Sequence, residues 1–252
     1  MTTLASTEDS DGCLYCSITS VRYDGNEDDC ILGKGAYGIV KRANLKSYHF
    51  ALKIAKENHE KELRAEIETM KQLNHENIVA LKYIISDEVG FLMELVEGGT
   101  LHDLIHDKNR PVFAIDYVIR WAHQIASAVA YMHQKGFIHC DLKPANFLLK
   151  PGYRIIKLAD FGSTISVKCK KRKPIGTALY QAPEAVNCLL PDGRIDVYSF
   201  GISFWEAAEK KKPQISPDGP GPFILTANEP FIKLLKRLWT KAANGGSRNR
   251  AC

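Results

Sequence analysis

Two hydrophobic periods run along the chain, and the change from one to the other divides it. Over residues 31–55 short apolar runs alternate with polar positions around a glycine cluster. Tyr48-His-Phe-Ala-Leu-Lys-Ile54 keeps a two-residue period, which predicts a small antiparallel sheet. Over residues 57–73 the period lengthens. Leu63, Ile67, Met70 and Leu73 recur every three or four residues with charges between them, as in a helix that buries one face. Residues 78–85 and 91–96 return to strand-like runs that would complete the sheet. Glu97-Gly-Gly99 then breaks the chain. Beyond it helical patterns dominate, first over 101–106 and then over 115–134, where Gly136 supplies a stop. The prediction is an α+β layout: a β-rich part, a hinge at 97–100 and an α-rich part, with no internal repeat.

Composition fits this layout and excludes several classes. With 252 residues, 45% hydrophobic and 25% charged, the chain reads as globular, long enough for one large domain or two lobes around a shared cleft. No run approaches the ~18 apolar residues that a membrane-crossing helix needs. The start, MTTLASTEDSDG, lacks the charged-then-apolar pattern of a secretory signal. Seven scattered cysteines, an odd number, fit a reducing compartment better than a disulfide framework. A cytoplasmic protein, with the nucleus as a second location, is the expectation.

The net charge of +5 conceals an asymmetry. Residues 1–29 hold seven acids against one base, a balance of −6, so residues 30–252 hold +11. That excess is spread along helices apart from one run, Lys168-Cys-Lys-Lys-Arg-Lys173, and so does not point to nucleic acid. The acidic stretch reads as a flexible lead-in, with residues 13–21 as a candidate added strand. No feature of the sequence specifies an oligomeric state.

Candidate chemistry begins at Gly33-Lys-Gly-Ala-Tyr-Gly38, whose glycine spacing lets a backbone come close to phosphates. A dinucleotide-binding loop would open a helix after its last glycine, whereas Ile39-Val-Lys-Arg42 and a further β-like run follow. A Walker A loop would end in Gly-Lys-Ser/Thr, which is absent. A glycine-rich hairpin over a nucleotide fits. Lys53, fifteen residues after Gly38, reads by itself as a lysine snorkelling from a half-buried strand. Glu66, on the same helix face as Met70, makes an ion pair aimed at phosphates available, while Glu60, Glu62 and Glu68 read as solvated charges.

A more specific signal follows. Ile138-His-Cys-Asp-Leu-Lys-Pro-Ala-Asn-Phe-Leu-Leu149 puts Asp141, Lys143 and Asn146 in one loop between a helix and a strand. Asp160-Phe-Gly162 comes at a strand end nineteen residues after Asp141. A base, a cation and two oxygen ligands are what phosphoryl transfer needs, since Mg2+ takes one or two protein oxygens plus substrate phosphates. Cys13-Leu-Tyr-Cys16 has neither a second pair nor histidines at ligand spacing, so no zinc site is expected. His102, His106, His123 and His133 read as surface or helix-packing residues, and Trp121, Trp205 and Trp239 as core.

From about residue 31 to residue 205 the sequence resembles the eukaryotic protein kinase family. The glycine-rich loop, Lys53, Glu66, His139-x-Asp141-x-Lys143-x-x-Asn146, Asp160-Phe-Gly162, Ala182-Pro-Glu184 and Asp196-Val-Tyr-Ser-Phe-Gly201 carry the resemblance in order. It implies a bilobal protein kinase fold after the acidic segment 1–29. An N-lobe antiparallel sheet with one regulatory helix would occupy 30–96, the hinge 97–100 and a mainly helical C-lobe 101–252. The resemblance also implies ATP and Mg2+. Leu32, Gly33, Lys34, Gly35, Ala36, Tyr37 and Gly38 would lie over the nucleotide, with Val40, Ala51 and Leu148 around its ring. Glu94 and Val96, after a gatekeeper Met93, would offer it backbone groups. Lys53, held by Glu66, would bind the α and β phosphates, Asn146 and Asp160 would hold the metal, Asp141 would accept the proton of the attacking hydroxyl, and Lys143 would face the γ-phosphate. Met70, Leu81, His139 and Phe161 match the family's stacked regulatory column.

Lys143 within Asp-Leu-Lys-Pro and Thr177 within Gly-Thr-x-x-Tyr imply a protein substrate with a Ser or Thr acceptor. Glu97-Gly-Gly-Thr-Leu-His102 and Phe204-Trp-Glu206 resemble the tyrosine-kinase-like group, and within it the MAP kinase kinase kinases related to the TGF-β-activated kinase. A pseudokinase or interaction module that binds ATP or partners without turnover is the alternative, and a small-molecule kinase is a third.

Two departures from the family pattern shape expectations. Cys140 stands where the family carries an arginine that pairs with a phosphorylated activation segment, so activity without that phosphate is expected, although Ser163, Thr164 and Ser166 are modifiable. The C-lobe is expected to be shortened after about residue 206. Only 231–239 resembles a later family helix, Ser216-Pro-Asp-Gly-Pro-Gly-Pro222 replaces a docking helix, and Asn244-Gly-Gly-Ser-Arg-Asn-Arg250 stands where Glu184 usually finds its arginine partner.

Overall fold

The β-periodic first part of the chain forms one seven-stranded sheet in the computed structural model, which describes residues 14–23, 29–168, 176–182, 192–215 and 222–223. The chain divides into two units, Met1–Val96 and Glu97–Cys252. In the first unit the strands are β1 Tyr15–Cys16, β2 Val21–Tyr23, β3 Ile31–Lys34, β4 Gly38–Leu45, β5 Tyr48–Ala55, β6 Leu81–Ile85 and β7 Gly90–Glu94, with helix α1, Glu60–Met70, between β5 and β6. Their order is β1-β6-β7-β5-β4-β2, with β3 also on β4. Every pairing is antiparallel except β1 with β6.

The N-terminal segment is where the structure departs from a flexible lead-in. β1 and β2 are consecutive in the chain yet lie at opposite ends of the strand order, so residues 14–23 tie the two ends together. Cys16 and Val21 are buried in one cluster with Ala43, Leu45, Leu52, Ile85 and Leu92, against which Ile18 and Tyr23 pack. A polar tie fixes the crossing: the Ser17 hydroxyl donates to Asp87 at 2.5 Å and the Ile18 N–H donates to the other carboxylate oxygen at 2.8 Å. The strand read as a candidate over 13–21 is two short strands with a 3-10 turn at Ile18–Ser20 between them, too short for alternation to mark their bounds.

α1 is shorter than its 57–73 periodicity. Asn58 adopts φ 66° and the chain enters the helix at His59 without a side-chain cap. Past Met70 it tightens, with Gln72 and Leu73 N–H groups donating to the carbonyls of Thr69 and Met70. Leu63, Ile67 and Met70 form the buried stripe, and Glu66 lies within it. β6 begins at Leu81 rather than 78, since Ile78 N–H closes a turn onto His75 O, and β7 ends at Glu94.

The second unit is helical around small ladders. α2, Leu101–His106, opens with a capping box in which Thr100 Oγ1 accepts the Asp103 N–H at 3.0 Å and Asp103 accepts the Thr100 N–H at 3.3 Å. α3, Ile115–Gln134, keeps the predicted bounds and buries Val118, Trp121, Ile125, Val129 and Met132 on one face. Trp121 is fully buried and spends its indole N–H on Tyr153 O at 2.7 Å. Gly136, at φ +81°, turns the chain out of the helix into β8, Phe137–Ile138. β8 pairs with β11, Ile165–Ser166, and β9, Phe147–Leu149, with β10, Ile156–Leu158. α4, Arg194–Glu209, is buried over nearly all of its surface from Ile195 to Ala207. Gln214–Ile215 and Pro222–Phe223 form a last short pair, β12 and β13. The helix expected at 231–239 and the Asn244–Arg250 stretch lie outside the described residues. Among those that are described, no helix is long and apolar enough to cross a membrane.

Candidate active site

The first unit assembles the glycine loop and the Lys53–Glu66 pair. β3 and β4 form the hairpin, whose turn closes by the Gly35 N–H donating to Gly38 O at 2.9 Å, and Lys56 Nζ holds Gly35 O at 2.6 Å. The three glycines differ. A Cβ on Gly38 would lie 2.7 Å from Ile54 O, so the fold itself requires glycine there. One on Gly33 would meet nothing within 4 Å. Gly33 is therefore small for a reason other than internal packing, as close approach of a ligand would supply. Lys34, Gly35 and Ala36 are exposed, Tyr37 is half-buried, and the Leu32 side chain is 48% exposed.

Val40 stands opposite Lys53 across the β4–β5 ladder, and Ala51 opposite Met93 across β5–β7. From β5, Lys53 reaches α1: its Nζ lies 2.7 and 2.8 Å from the two oxygens of Glu66. Both residues are buried, 4% and 3% exposed. Neither charge could stay there alone, because an unpaired buried ion loses several kcal/mol of hydration. The pair explains the polar position in the apolar stripe of α1. Glu94, at the end of β7, donates its N–H to Ala80 O, and Val96 closes the unit.

In the second unit, the loop after β8 gathers four side chains. Asp141 Oδ2 accepts from Lys143 Nζ at 2.7 Å and from Asn146 Nδ2 at 3.2 Å, while Oδ1 accepts the Thr177 hydroxyl at 2.8 Å. Lys143 Nζ also donates to Thr177 Oγ1 at 2.7 Å. Asp141 is thus held by donors on both oxygens. Thr177 lies in the segment returning toward Ala182. Gly176 lets it approach: at φ +99°, a Cβ there would be 2.5 Å from Cys140 O.

Asn146 also gives Nδ2 to Asp141 O at 2.8 Å, which leaves its amide Oδ1 as the acceptor end. The β9–β10 ladder places Asp160 near it, for the Ala159 N–H bonds to Asn146 O at 2.9 Å and Asp160 follows at φ +62°, exposed. An amide oxygen and an exposed carboxylate beside one ladder end are hard oxygen donors of the kind Mg2+ takes when the remaining positions are water and phosphate. Among the described residues no group of three or more His, Cys, Asp or Glu gathers as a metal site. Leu148, on β9, bridges to Thr100, and the hinge lies tight against this strand: Gly98 N–H donates to Leu149 O at 2.7 Å.

The loop is held from below by α4. Asp196, fully buried, accepts the N–H groups of His139 and Cys140 at 2.9 and 2.8 Å and bonds His133 Nε2 at 2.8 Å. These bonds keep Cys140 in a left-handed conformation, φ 69°. His139 accepts the Asp141 N–H on Nδ1, so its Nε2 carries the proton and donates to Ala159 O at 3.2 Å, with its ring edge-on to Phe161 at 5.5 Å. The Cys140 side chain enters an apolar cluster with Ile138, Tyr180, Ala182, Ile195, Tyr198 and Ile202. Burial, reinforced by the Asp196 charge, pushes its thiol well above the ordinary value.

Several residues that organise the site were given no individual role in the sequence reading, although Asp196, Ser199 and Glu206 lie within its quoted motifs. On α4, Asp196, Ser199, Ser203 and Glu206 are all buried on a helical spacing of three or four. Ser199 Oγ donates to Tyr180 O at 2.7 Å, Ser203 Oγ to Leu142 O at 3.4 Å, and Glu206 receives the Tyr180 hydroxyl at 2.7 Å. Polar positions recurring within an otherwise apolar helix were the available signal, since buried polar groups must find partners. Pro183 and Glu184, Cys13, the basic positions 170–173 and Arg248 and Arg250 lie outside the described residues.

Comparison with known proteins agrees with this arrangement. A family model described as a protein kinase domain matches residues 27–242, past residue 206, where the shortening was expected. Mitogen-activated protein kinase kinase kinase 7 from Homo sapiens is 30% identical over 89% of this chain and 40% of its own length. The Mus musculus protein of that name is 30% identical over the same share of this chain and 42% of its own. Mitogen-activated protein kinase kinase kinase mom-4 from Caenorhabditis elegans is 31% identical over 84% of this chain and 42% of its own length. The chain thus spans about two fifths of the length of these relatives.

Proposed function

This chain belongs to the protein kinase family, and on that premise we propose that it transfers the γ-phosphate of ATP to Ser or Thr hydroxyls of protein substrates, as part of MAP kinase signalling. The observation that carries the reading is the cluster of Asp141, Lys143, Asn146 and Thr177. Asp141 is a fixed carboxylate that can orient a substrate hydroxyl and take its proton. Lys143, already bonded to it, brings a positive charge to the side where negative charge develops on the transferred group. Thr177 ties the returning segment to this pair, so the protein substrate's seat and the base are set together.

In this reading Lys53, oriented by Glu66, binds the nucleotide phosphates beneath the glycine hairpin. Asn146 Oδ1 and Asp160 would hold Mg2+, which would supply charge to neutralise the nucleotide phosphates. Val40, Ala51 and Leu148 give apolar contact to the base. The Ser/Thr preference follows from Lys143 and Thr177, and the relatives' printed names support a place in MAP kinase signalling.

The test is transfer of labelled γ-phosphate to a generic protein substrate by wild type beside Asp160→Asn and Lys53→Met, followed by analysis of the phosphorylated residue. Label on Ser and Thr from wild type alone is expected, with a loss of about 100-fold or more in either variant, the scale on which misplaced reactants slow a reaction. Wild type that binds ATP yet labels no better than the variants would leave the pseudokinase reading in place. Label on Tyr alone would overturn the Ser/Thr assignment.

A further inference from the structure

Glu206 sits in the middle of the buried stripe on α4 with no exposed surface, and a carboxylate so placed must be fully partnered. Tyr180 occupies one of its oxygens. The other is 2.6 Å from Nε2 of His106, the last residue of α2, whose side chain is 19% exposed. The His106 ring is steadied by His102, whose centroid lies 4.9 Å away one turn back. His106 therefore reaches from a short surface helix to a carboxylate in the core.

What that carboxylate holds makes the contact more than core satisfaction. Tyr180 closes the short 3-10 turn that begins after Thr177: its N–H donates to Thr177 O at 2.9 Å, and Ser199 holds its carbonyl. Thr177 in turn bonds both Asp141 and Lys143. A continuous series of hydrogen bonds thus runs from His106 through Glu206, Tyr180 and Thr177 to Asp141. Burial, together with the bond to Glu206, pushes the Tyr180 hydroxyl well above its ordinary value, so it remains a donor and the series keeps one direction.

We infer that His106 is a positioning residue for phosphate transfer, acting through the buried Glu206 carboxylate to hold the Tyr180–Thr177 segment against Asp141. The inference rests on the kinase reading above. With His106 replaced, Glu206 loses a donor from Oε1, its grip on Tyr180 loosens, and the segment carrying Thr177 drifts from the base, while the nucleotide-binding residues are untouched.

The experiment compares His106→Leu with His106→Gln, whose side-chain amide can place an N–H near the imidazole Nε2 position, in the full chain. His106→Asn, too short to reach, serves as the second variant if leucine loosens the core. His106→Leu is expected to lower kcat on a protein substrate roughly 10-fold or more with KM for ATP within about twofold of wild type, on the scale of one misplaced catalytic contact. His106→Gln should recover most of the rate. Because the residues act in series, His106→Leu combined with Tyr180→Phe should lose little more than the worse single variant.

Hydrogen exchange supplies a readout that does not need turnover: amides at 177–182 should exchange faster in His106→Leu and not in His106→Gln. Leucine and glutamine variants that behave alike, losses that multiply in the double variant, or faster exchange confined to α2 would each overturn the inference. Wild type that transfers no phosphate above Asp160→Asn would defeat the kinase reading, while the exchange comparison would still decide the link.

Discussion

At position 140 a small apolar side chain is what the fold has room for. The thiol lies among Ile138, Tyr180, Ala182, Ile195, Tyr198 and Ile202, beneath a backbone already pinned by Asp196. Cys140→Arg would bury a guanidinium in that cluster, and a loss of about 3 kcal/mol or more in folding stability by urea titration is the expected outcome. The thiol should also resist alkylation in the native protein, since the nucleophile is the thiolate and burial keeps Cys140 protonated; Cys16, whose thiol burial and the nearby Asp87 push up to about 11, should behave alike. Two glycines separate internal packing from ligand approach. Gly176→Ala, with its Cβ 2.5 Å from Cys140 O, should shift Thr177 and cut kcat by about 100-fold. Gly33→Ala has open space around it, and should leave thermal stability within about 1 kcal/mol while weakening ATP binding. A Gly33→Ala variant with unchanged ATP affinity would remove that loop position from the nucleotide site.

Among the elements, the N-terminal strap and the returning segment each have a testable tie. The Ser17 hydroxyl and the Ile18 N–H hold the Asp87 carboxyl below its ordinary value of 3.8. A carboxylate whose folded pKa is depressed contributes stability above its unfolded value and loses it as the pH falls through the folded one. Protection of the residue 14–18 amides should therefore be full at neutral pH and fade below about pH 4, and Asp87→Asn should remove that dependence. The described stretches 165–168 and 176–182 are each anchored by bonds of their own. β11 pairs with β8, Val167 N–H reaches Gly136 O, and the far end is held by Tyr180, Thr177 and Ser199. A Ser163→Ala, Thr164→Ala, Ser166→Ala triple variant should keep most of its transferase activity, and complete loss with intact folding would show that phosphate is needed after all.

For the molecule as a whole, the charge asymmetry bears on partners. Apart from the run at 168–173, the +11 beyond residue 29 is distributed along the chain. Counterion release needs several cations set along one backbone. No saturable binding of single-stranded DNA is expected at 0.15 M salt in a filter assay, and tight binding that falls steeply with added salt would contradict the protein-substrate reading.

How much of this was legible beforehand differs from residue to residue. α2 and α3 keep the bounds that periodicity gives them: Thr100 caps the start of α2, and the long apolar stripe of α3 runs to the stop at Gly136. Asp141, Lys143, Asn146 and Asp160 could be picked out because the chemistry is compressed into short loops with fixed spacing. Their arrangement was not legible: that Thr177 closes onto Asp141 depends on a contact across 36 residues, and that Asn146 turns its Nδ2 toward Asp141 depends on how the loop folds back on itself. The strap formed by residues 14–23 was legible only as a candidate added strand at 13–21, since two- and three-residue strands carry almost no periodic signal and gain their stability from Asp87 and a cluster built by four other strands. By itself, then, the sequence determined which residues carry charge, oxygen ligands and backbone freedom, and where helix gives way to strand, because those are set by local propensity and period. Only the tertiary structure decided which of the buried polar groups meet. His106, read as a packing histidine, gained its partner from a glutamate one hundred residues away, since a carboxylate sealed in the core draws in whatever donors the packing brings within reach.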